Sequence, residues 1–371
     1  MKDERAVTVI IKLTQNCNLG CKYCFYTKAA GDNHPSAISV HNLQEILRKV
    51  AERWNKVYLI LHGGEPFLRP LSFLEILIDI QEKLKRERGT EFRNSVQTNG
   101  TIFSDSLATF LRKNKISVGI SIDGTKDVHD QARPFKKGHH SSFERALNNI
   151  SRFRESGLRL SAILVATRQV VSESSAIYEQ FKKNQLDFKI NELVPEMTPS
   201  DFVPSPHELG TFYQDMFDLW FYDRHLPTLR IRPLTTIVAS FWGVRLNDCT
   251  FQSNCSRYLS IETDGSVFVC GRFNHLPEFK MGNILMQSWD DLLATNAIRQ
   301  FDSRRTRLPN ECQQCQWLAR CWGGCSACAR VTGNSVYDRT IWCDARKMVF
   351  SHIQHSLKLI TEDKVYEEQT A

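Results

Sequence analysis

The chain has no apolar run of the length a bilayer crossing demands. Its first residues, Met1-Lys-Asp-Glu-Arg5, are too charged to open a secretory signal. There is no internal repeat to suggest a solenoid or propeller. Nor is there a strong charge of one sign. The 48 Lys and Arg against 41 Asp and Glu leave a net charge of +7, spread along the chain, which argues against nucleic acid as a partner. Basic stretches such as Lys83-Leu-Lys-Arg-Glu-Arg88 read as solvated helix surface. What remains, at 42% hydrophobic and 24% charged over 371 residues, is a globular protein with room for one large domain and a smaller one. Cysteine stands apart. With no secretory signal and with clustered spacings, the twelve cysteines point to metal ligation in a reducing cytoplasm rather than to disulfides.

The organising stretch is Thr14-Gln-Asn-Cys-Asn-Leu-Gly-Cys-Lys-Tyr-Cys-Phe-Tyr26, which places Cys17, Cys21 and Cys24 in a C-x3-C-x2-C spacing after a β-like run. Three thiolates on one tight loop can hold three irons of a four-iron, four-sulfur cluster and leave the fourth iron without a protein ligand. Open coordination suits chemistry, whereas an electron carrier normally closes all four positions. A structural zinc site would need a fourth ligand close by, and the nearest histidine, His34, lies ten residues on in a Gly/Pro-rich loop.

Downstream, apolar β-branched runs at 7–13, 57–61, 92–98, 116–122, 158–165 and 188–193 alternate with helical patterns near 40–53, 71–88, 104–114, 142–156 and 171–184. That alternation predicts parallel strands covered by helices, in a partial (β/α)6 version of the eight-unit barrel. Reactive groups are then expected at the C-terminal ends of strands, where the cysteine loop falls. The Pro/Ser-rich segment 194–206 reads as a loop over the barrel mouth. The aromatic stripe Phe212, Tyr213, Phe217, Trp220 and Phe221 reads as helix core. A domain boundary is expected near 240, with a barrel and connector over 1–240 and a cysteine-rich domain over 241–371 that ends in a helix from about 344 to 361 and a frayed tail. Nine of the cysteines lie in the second part, as Cys249-x5-Cys255-x14-Cys270, Cys312-x2-Cys315-x5-Cys321-x3-Cys325, Cys328 and Cys343. Thr263-Asp-Gly-Ser266 is a hairpin signal that puts Cys270 on the returning strand. Taken alone, the C-x2-C-x5-C-x3-C run is also compatible with a zinc ribbon.

The early motif resembles the hallmark of the radical S-adenosylmethionine (SAM) superfamily, including the aromatic Tyr23 before the third cysteine. That resemblance implies that SAM chelates the open iron and is cleaved to a deoxyadenosyl radical which takes a substrate hydrogen, making Cys17, Cys21 and Cys24 the catalytic cluster. The later cysteines, with Gly265 between the second and third, resemble the SPASM extension of peptide-modifying members. The likeness to anaerobic sulfatase-maturing enzymes runs through Gln97-Thr-Asn-Gly100, Ser121-Ile-Asp-Gly124 and Met281-Gly-Asn-Ile284 to Cys343. It implies three four-iron clusters in all. Cys249, Cys255, Cys270 and Cys325 would close the first auxiliary cluster, and Cys312, Cys315, Cys321 and Cys343 the second, with Cys328 a spare thiol. It also implies that Gly63, Gly64 and Glu65 of Leu61-His-Gly-Gly-Glu-Pro66 meet the SAM amino group, Arg133 its carboxylate, Ser121 its ribose, and Tyr23 and Leu193 the adenine surroundings. The implied partners are a precursor peptide and an external flavodoxin- or ferredoxin-type electron donor, and the implied state is a cytoplasmic monomer away from membranes.

In sulfatase maturation, which turns Cys or Ser into formylglycine, an Asp after the third cysteine of the extension takes the substrate's heteroatom proton. Here that position is Gly271, which cannot act as a base. Sixteen residues before Cys17 also leave no room for the leader-binding domain of many peptide maturases. The expectation is therefore an intramolecular cross-link in a ribosomally made peptide, carbon to an aromatic ring (a cyclophane). Sulfatase-type Cys/Ser oxidation with its base elsewhere is the alternative, and a non-enzymatic iron–sulfur or zinc scaffold a further one. Tyr26, His62, Asp123 and Glu192 are candidates to line the pocket or move a proton. Asn99 could serve a turn or the pocket.

Overall fold

The computed structural model describes residues 5–24, 26, 35–223, 229–246 and 248–370. Its strands are β1 (Ala6–Thr14), β2 (Lys56–Gly63), β3 (Glu91–Thr98), β4 (Ser117–Ser121), β5 (Leu160–Val165), β6 (Phe188–Asn191), β7 (Ile231–Arg232), β8 (Tyr258–Ile261), β9 (Ser266–Val269) and β10 (Lys280–Asn283). Helices Val40–Arg53, Leu71–Arg88, Asp105–Lys113, Ser142–Glu155 and Ser174–Lys183 separate the first six strands, so the alternation read from the sequence is that of the partial (β/α)6 class. Serine hydroxyls start several of these helices. Ser39, Ser104 and Ser141 accept from the backbone N–H of Asn42, Leu107 and Glu144 and satisfy otherwise orphaned donors.

Contacts divide the chain into two compact units that do not follow the boundary near 240. One takes the described residues up to Ile122, Lys126–Ile163 and Asn254–Ser303; the other takes Asp123–Thr125, Leu164–Ser253 and the described residues from Arg304 on. In the first unit the strand order is β10-β9-β8-β1-β2-β3-β4-β5. β1 to β5 pair in parallel; Val7, Val9, Ile11 and Leu13 bury one face of β1, and the other face is half-buried at Thr8 and Ile10 and buried at Lys12 and Thr14. The Thr263–Ser266 signal does make a hairpin, β8–β9, but Cys270 lies just past the end of β9. The sequence carried no sign that β8 would hydrogen-bond in parallel to β1, Thr8 opposite Tyr258 through Ile11 opposite Ile261. That pairing is what brings residues 254–303 into the first unit.

In the second unit β6 and β7 pair in parallel, and helix Pro206–Phe221 packs on helix Cys343–Thr370. A capping box formed by Ser205 and Glu208 starts the former, right after two short 3-10 turns in the 194–206 segment. Phe212, Tyr213 and Phe217 are buried, in line with the core reading of the aromatic stripe. The last helix runs on to Thr370 rather than ending near 361. Among the described residues no helix is long and apolar enough to cross a membrane.

Candidate active site

The cysteine loop leaves the C-terminal end of β1 and is stitched down on two sides. On one side the backbone N–H of Gly20 donates to Pro134 and that of Lys22 to Ala132 (2.8 and 2.9 Å), which fixes the segment carrying Arg133. The Arg133 guanidinium is buried 5.2 Å above the Tyr23 ring. On the other side the Gly63-Gly64-Glu65 turn lies against the residues just before Cys17. Gly64 N–H donates to the Thr14 carbonyl and Glu65 N–H to that of Asn16, at 2.7 and 2.8 Å. A Cβ at Gly63 would stand 2.3 Å from Thr14 O, and one at Gly64 2.1 Å from Asn16 O. The glycines are thus required where backbone meets backbone beneath the cysteine loop.

Glu65 has no exposed surface, and its carboxylate already takes three donors: Phe67 N–H (3.0 Å), the Thr98 hydroxyl (2.8 Å) and Asn99 N–H (2.7 Å). Of roughly four acceptor positions on a carboxylate, one is left. Burial nevertheless pushes its pKa up to about 7, against the pull of those donors. The turn Glu65 holds reaches the cysteine loop. Asn99 Nδ2 donates to Asn18 Oδ1 (2.8 Å) and approaches Cys17 Sγ at 3.7 Å, while Leu19 N–H donates to the same sulfur at 3.4 Å. Asn99 is therefore tied to the cysteine loop, and N–H donors at sulfur favour thiolate. Burial, the larger influence, holds the Cys17 thiol above its usual range. A metal cation would be needed to deprotonate it near neutrality. Ser121 Oγ accepts from Gln97 Nε2 at 2.9 Å.

Behind this loop lies a buried polar cluster for which only Tyr26 and His62 were anticipated. Lys12, the single charge in the apolar run of β1, is 1% exposed. Its Nζ lies 3.4 Å from His62 Nδ1 and 4.4 Å from the centre of the Tyr26 ring. Burial lowers its pKa, opposed by Glu262, Cys24 and Cys270. His62 is pushed down to about 3 by burial and by Lys12, and its Nδ1 accepts from Gly63 N–H, so it is neutral with that nitrogen unprotonated. The Tyr26 hydroxyl donates to Glu262 at 3.1 Å, and Asn274 Nδ2 donates to the same carboxylate. A Cβ at Gly271 would meet Ser260 Oγ at 3.6 Å and Lys12 Nζ at 3.7 Å, ordinary contacts. Gly271 thus adjoins the cluster. A lone lysine inside an otherwise apolar strand was the signal available in the sequence.

The later cysteines are placed as follows. Cys255 and Cys270 belong to the first unit, Cys270 with a positive φ of 70°; Cys249 and Cys325 belong to the second. Cys312, Cys315, Cys321 and Cys343 all line one cavity in the second unit, with Trp317, Arg339 and Arg346. Burial, then neighbouring Cys321 and Cys343, push the Cys312 thiol up to about 11. Among the described residues no three His, Cys, Asp or Glu side chains close on a point as a single ion requires, sulfurs about 3.8 Å apart for tetrahedral zinc. Sulfurs around a four-iron cube stand wider apart, and four of them sharing a cavity fit such a group. Cys328 is buried and its thiol meets the Leu193 carbonyl at 3.2 Å, which the Trp342 indole also reaches at 3.1 Å. Asp123 accepts from Val165 N–H at 2.9 Å, and Glu192 pairs with Arg346 at 2.7 Å.

Comparison with known proteins bears on these arrangements. Residues 11–173 match the family model described as the radical SAM superfamily, and residues 249–316 match SPASM, an iron–sulfur cluster-binding domain. A cysteine-type anaerobic sulfatase-maturating enzyme of Clostridium perfringens is 27% identical over 359 residues, covering 93% of this chain and 96% of the relative. A serine-type enzyme of Bacteroides thetaiotaomicron is 28% identical over 336 residues, covering 83% and 80%. The solved structure "Native anSMEcpe with bound AdoMet and Cp18Cys peptide" superposes with a TM-score of 0.86 at 25% identity, covering 96% of this chain and 99% of that one. Streptococcus suis SuiB bound to its precursor peptide SuiA shares the fold at a TM-score of 0.65 and 18% identity, over 92% and 76%.

These matches overturn the cross-linking expectation in favour of the sulfatase-maturase alternative. The expectation rested on the missing acid at 271. That inference was too narrow, because the neighbourhood of Gly271 already holds Lys12, which stands in turn beside Tyr26 and Glu262. Iron–sulfur clusters and SAM are the cofactors of this fold pairing. The chain carries a radical SAM domain and a SPASM iron–sulfur cluster-binding domain and is a radical SAM enzyme.

Proposed function

We propose that the protein oxidises a Cys or Ser side chain of a sulfatase-type substrate to formylglycine. The observation that carries this reading is the continuous match of both modules to sulfatase-maturating enzymes, 93% of this chain against 96% of the Clostridium perfringens enzyme. When bound, SAM and the clusters supply one-electron chemistry, so that the substrate gives up a Cβ hydrogen atom, a heteroatom proton and one further electron; Ser then stands at the aldehyde, and Cys at a thioaldehyde that water hydrolyses to the aldehyde with release of hydrogen sulfide.

The chain's own residues arrange the rest. Cys17, Cys21 and Cys24 hold the catalytic cluster, with Asn99 and Leu19 N–H steadying the first sulfur. The remaining acceptor position of Glu65 and the carbonyls of the Gly63-Gly64 turn would meet the SAM amino group, and Arg133 would hold its carboxylate. Ser121 would meet the ribose, and Tyr23 and Leu193 the adenine. Glu262 is the proton acceptor in place of an acid at 271, reached through the Tyr26 hydroxyl that already donates to it. Cys249, Cys255, Cys270 and Cys325 would hold a second cluster and Cys312, Cys315, Cys321 and Cys343 a third, and such clusters would supply one-electron transfer to an external carrier.

The test is incubation of the anaerobic, reduced enzyme with SAM and peptides carrying a sulfatase maturation sequence with Cys or Ser at the target position. A product that couples to a hydrazide reagent and fragments normally along its backbone is expected. A hydrazide-inert product that resists fragmentation across two linked residues would refute the proposal.

A further inference from the structure

The second unit contains a buried ion pair at the wall of the four-cysteine cavity. Arg346, 1% exposed, sends Nη2 to both oxygens of Glu192 (2.9 and 2.7 Å) and Nη1 to the Thr250 carbonyl (2.8 Å). The same Nη1 lies 3.9 Å from Cys321 Sγ, and the guanidinium stacks 4.2 Å over Phe251. A charge taken this far out of water is a weak device for stability, since desolvation offsets most of the attraction. It is a strong device for acting on a neighbouring group, because little solvent screens it. The neighbour here is a sulfur. A further guanidinium, Arg339, lines the same cavity. Arg339 is partly neutralised by Glu311 at 3.1 Å, whereas Arg346 is neutralised by Glu192, on the side away from its contact with Cys321.

We propose that Arg346 sets the reduction potential of the iron–sulfur cluster held by Cys312, Cys315, Cys321 and Cys343, with Glu192 moderating its charge. The inference rests on the reading that these four cysteines hold a cluster. Reduction adds one negative charge shared with the ligating sulfurs. A guanidinium beside Cys321 stabilises that charge and an N–H aimed at the sulfur adds to it, so both raise the potential. This set then becomes the more easily reduced end of an electron path. Arg346 is a tuning residue acting through Cys321, not a group that touches substrate.

The experiment is an EPR-monitored potentiometric titration of the anaerobic holoenzyme, the signal of this set being the one that Cys315→Ala removes. Arg346→Met is expected to disfavour reduction about tenfold at fixed potential, a downward shift of about 59 mV for a one-electron couple. Glu192→Gln should shift the midpoint upward, because it leaves the guanidinium charge uncompensated. The double variant Glu192→Gln/Arg346→Gln leaves no unpaired buried charge to threaten folding, and it should also lie below wild type, the guanidinium being the nearer charge. A purely structural ion pair predicts no shift, or shifts of one sign in both single variants; either result overturns the proposal. If Cys315→Ala removes neither iron nor signal, the ligand reading falls and the tuning falls with it, distinguishable because wild type and Cys315→Ala then give the same iron content and the same spectrum.

Discussion

Glu65 offers the sharpest quantitative test of how the catalytic loop is held. Replacing it by Gln keeps the size and one carbonyl oxygen but turns the other position into an N–H₂ donor. In the present arrangement Oε1 serves Phe67 N–H and the Thr98 hydroxyl, and Oε2 serves Asn99 N–H. An amide in this site must face either Asn99 N–H or the Phe67/Thr98 pair with a donor, leaving at least one buried donor unsatisfied, at a cost of about 1–3 kcal/mol. A pH signature is superimposed on this cost. The folded pKa of about 7 is raised from the ordinary carboxyl value of 4.5, so the folded state binds the proton more tightly than the unfolded chain. Stability contributed by that proton is fully present below the unfolded pKa and is lost as pH rises through 7. Between pH 6 and pH 8 linkage gives a loss of about 1.3 kcal/mol in the wild type that Glu65→Gln cannot show. Urea unfolding under nitrogen at both pH values, wild type and variant side by side with equal m values, isolates the difference. A stability gap that is the same at pH 6 and pH 8 would refute the buried, raised carboxyl. A gap that is absent altogether would refute the three-donor pin.

Other consequences follow from the same geometry. Gly64→Ala puts a methyl 2.1 Å from the Asn16 carbonyl, and the backbone before Cys17 must move; a loss of about 1–3 kcal/mol in stability is expected, together with slower SAM cleavage on an HPLC assay. Replacing Cys17, Cys21 and Cys24 together by Ala should lower the iron content by about four per chain and abolish SAM cleavage, while iron bound by the later cysteines stays. Glu262→Gln should slow aldehyde formation at least about 100-fold while SAM cleavage continues uncoupled from product; product formed at the wild-type rate would remove Glu262 from the proton path.

What was legible in the sequence is what depends on local pattern. β-branched runs and amphipathic stretches located β1 to β6 and the helices between them to within a few residues, because helix caps such as Ser104 and the αL Gly89 end-stop act over one turn. The three early cysteines were legible for the same reason, since they lie within eight residues on one loop. What depends on distant pairing was not. The addition of β8 to the free edge of β1 joins residues 258–261 to residues 8–11, and no periodicity in either run announces it. The end of the last helix was set too early because polar composition was read as fraying, when a helix already anchored on Pro206–Phe221 can propagate one residue at a time.

The misreading of Gly271 shows how this limit reaches function. One position was weighed as if its neighbours in sequence were its neighbours in space. In the fold, the Cβ site of Gly271 points at Ser260 and at Lys12 from β1. Lys12 touches His62 and Tyr26, and Tyr26 bonds to Glu262. Five polar groups from four separate segments are thereby buried together, at a cost that a purely structural role would not require. A missing base at one position removes a function only if the surrounding cavity is apolar. Here polar groups surround it, so the loss of one acid leaves the proton with other places to go.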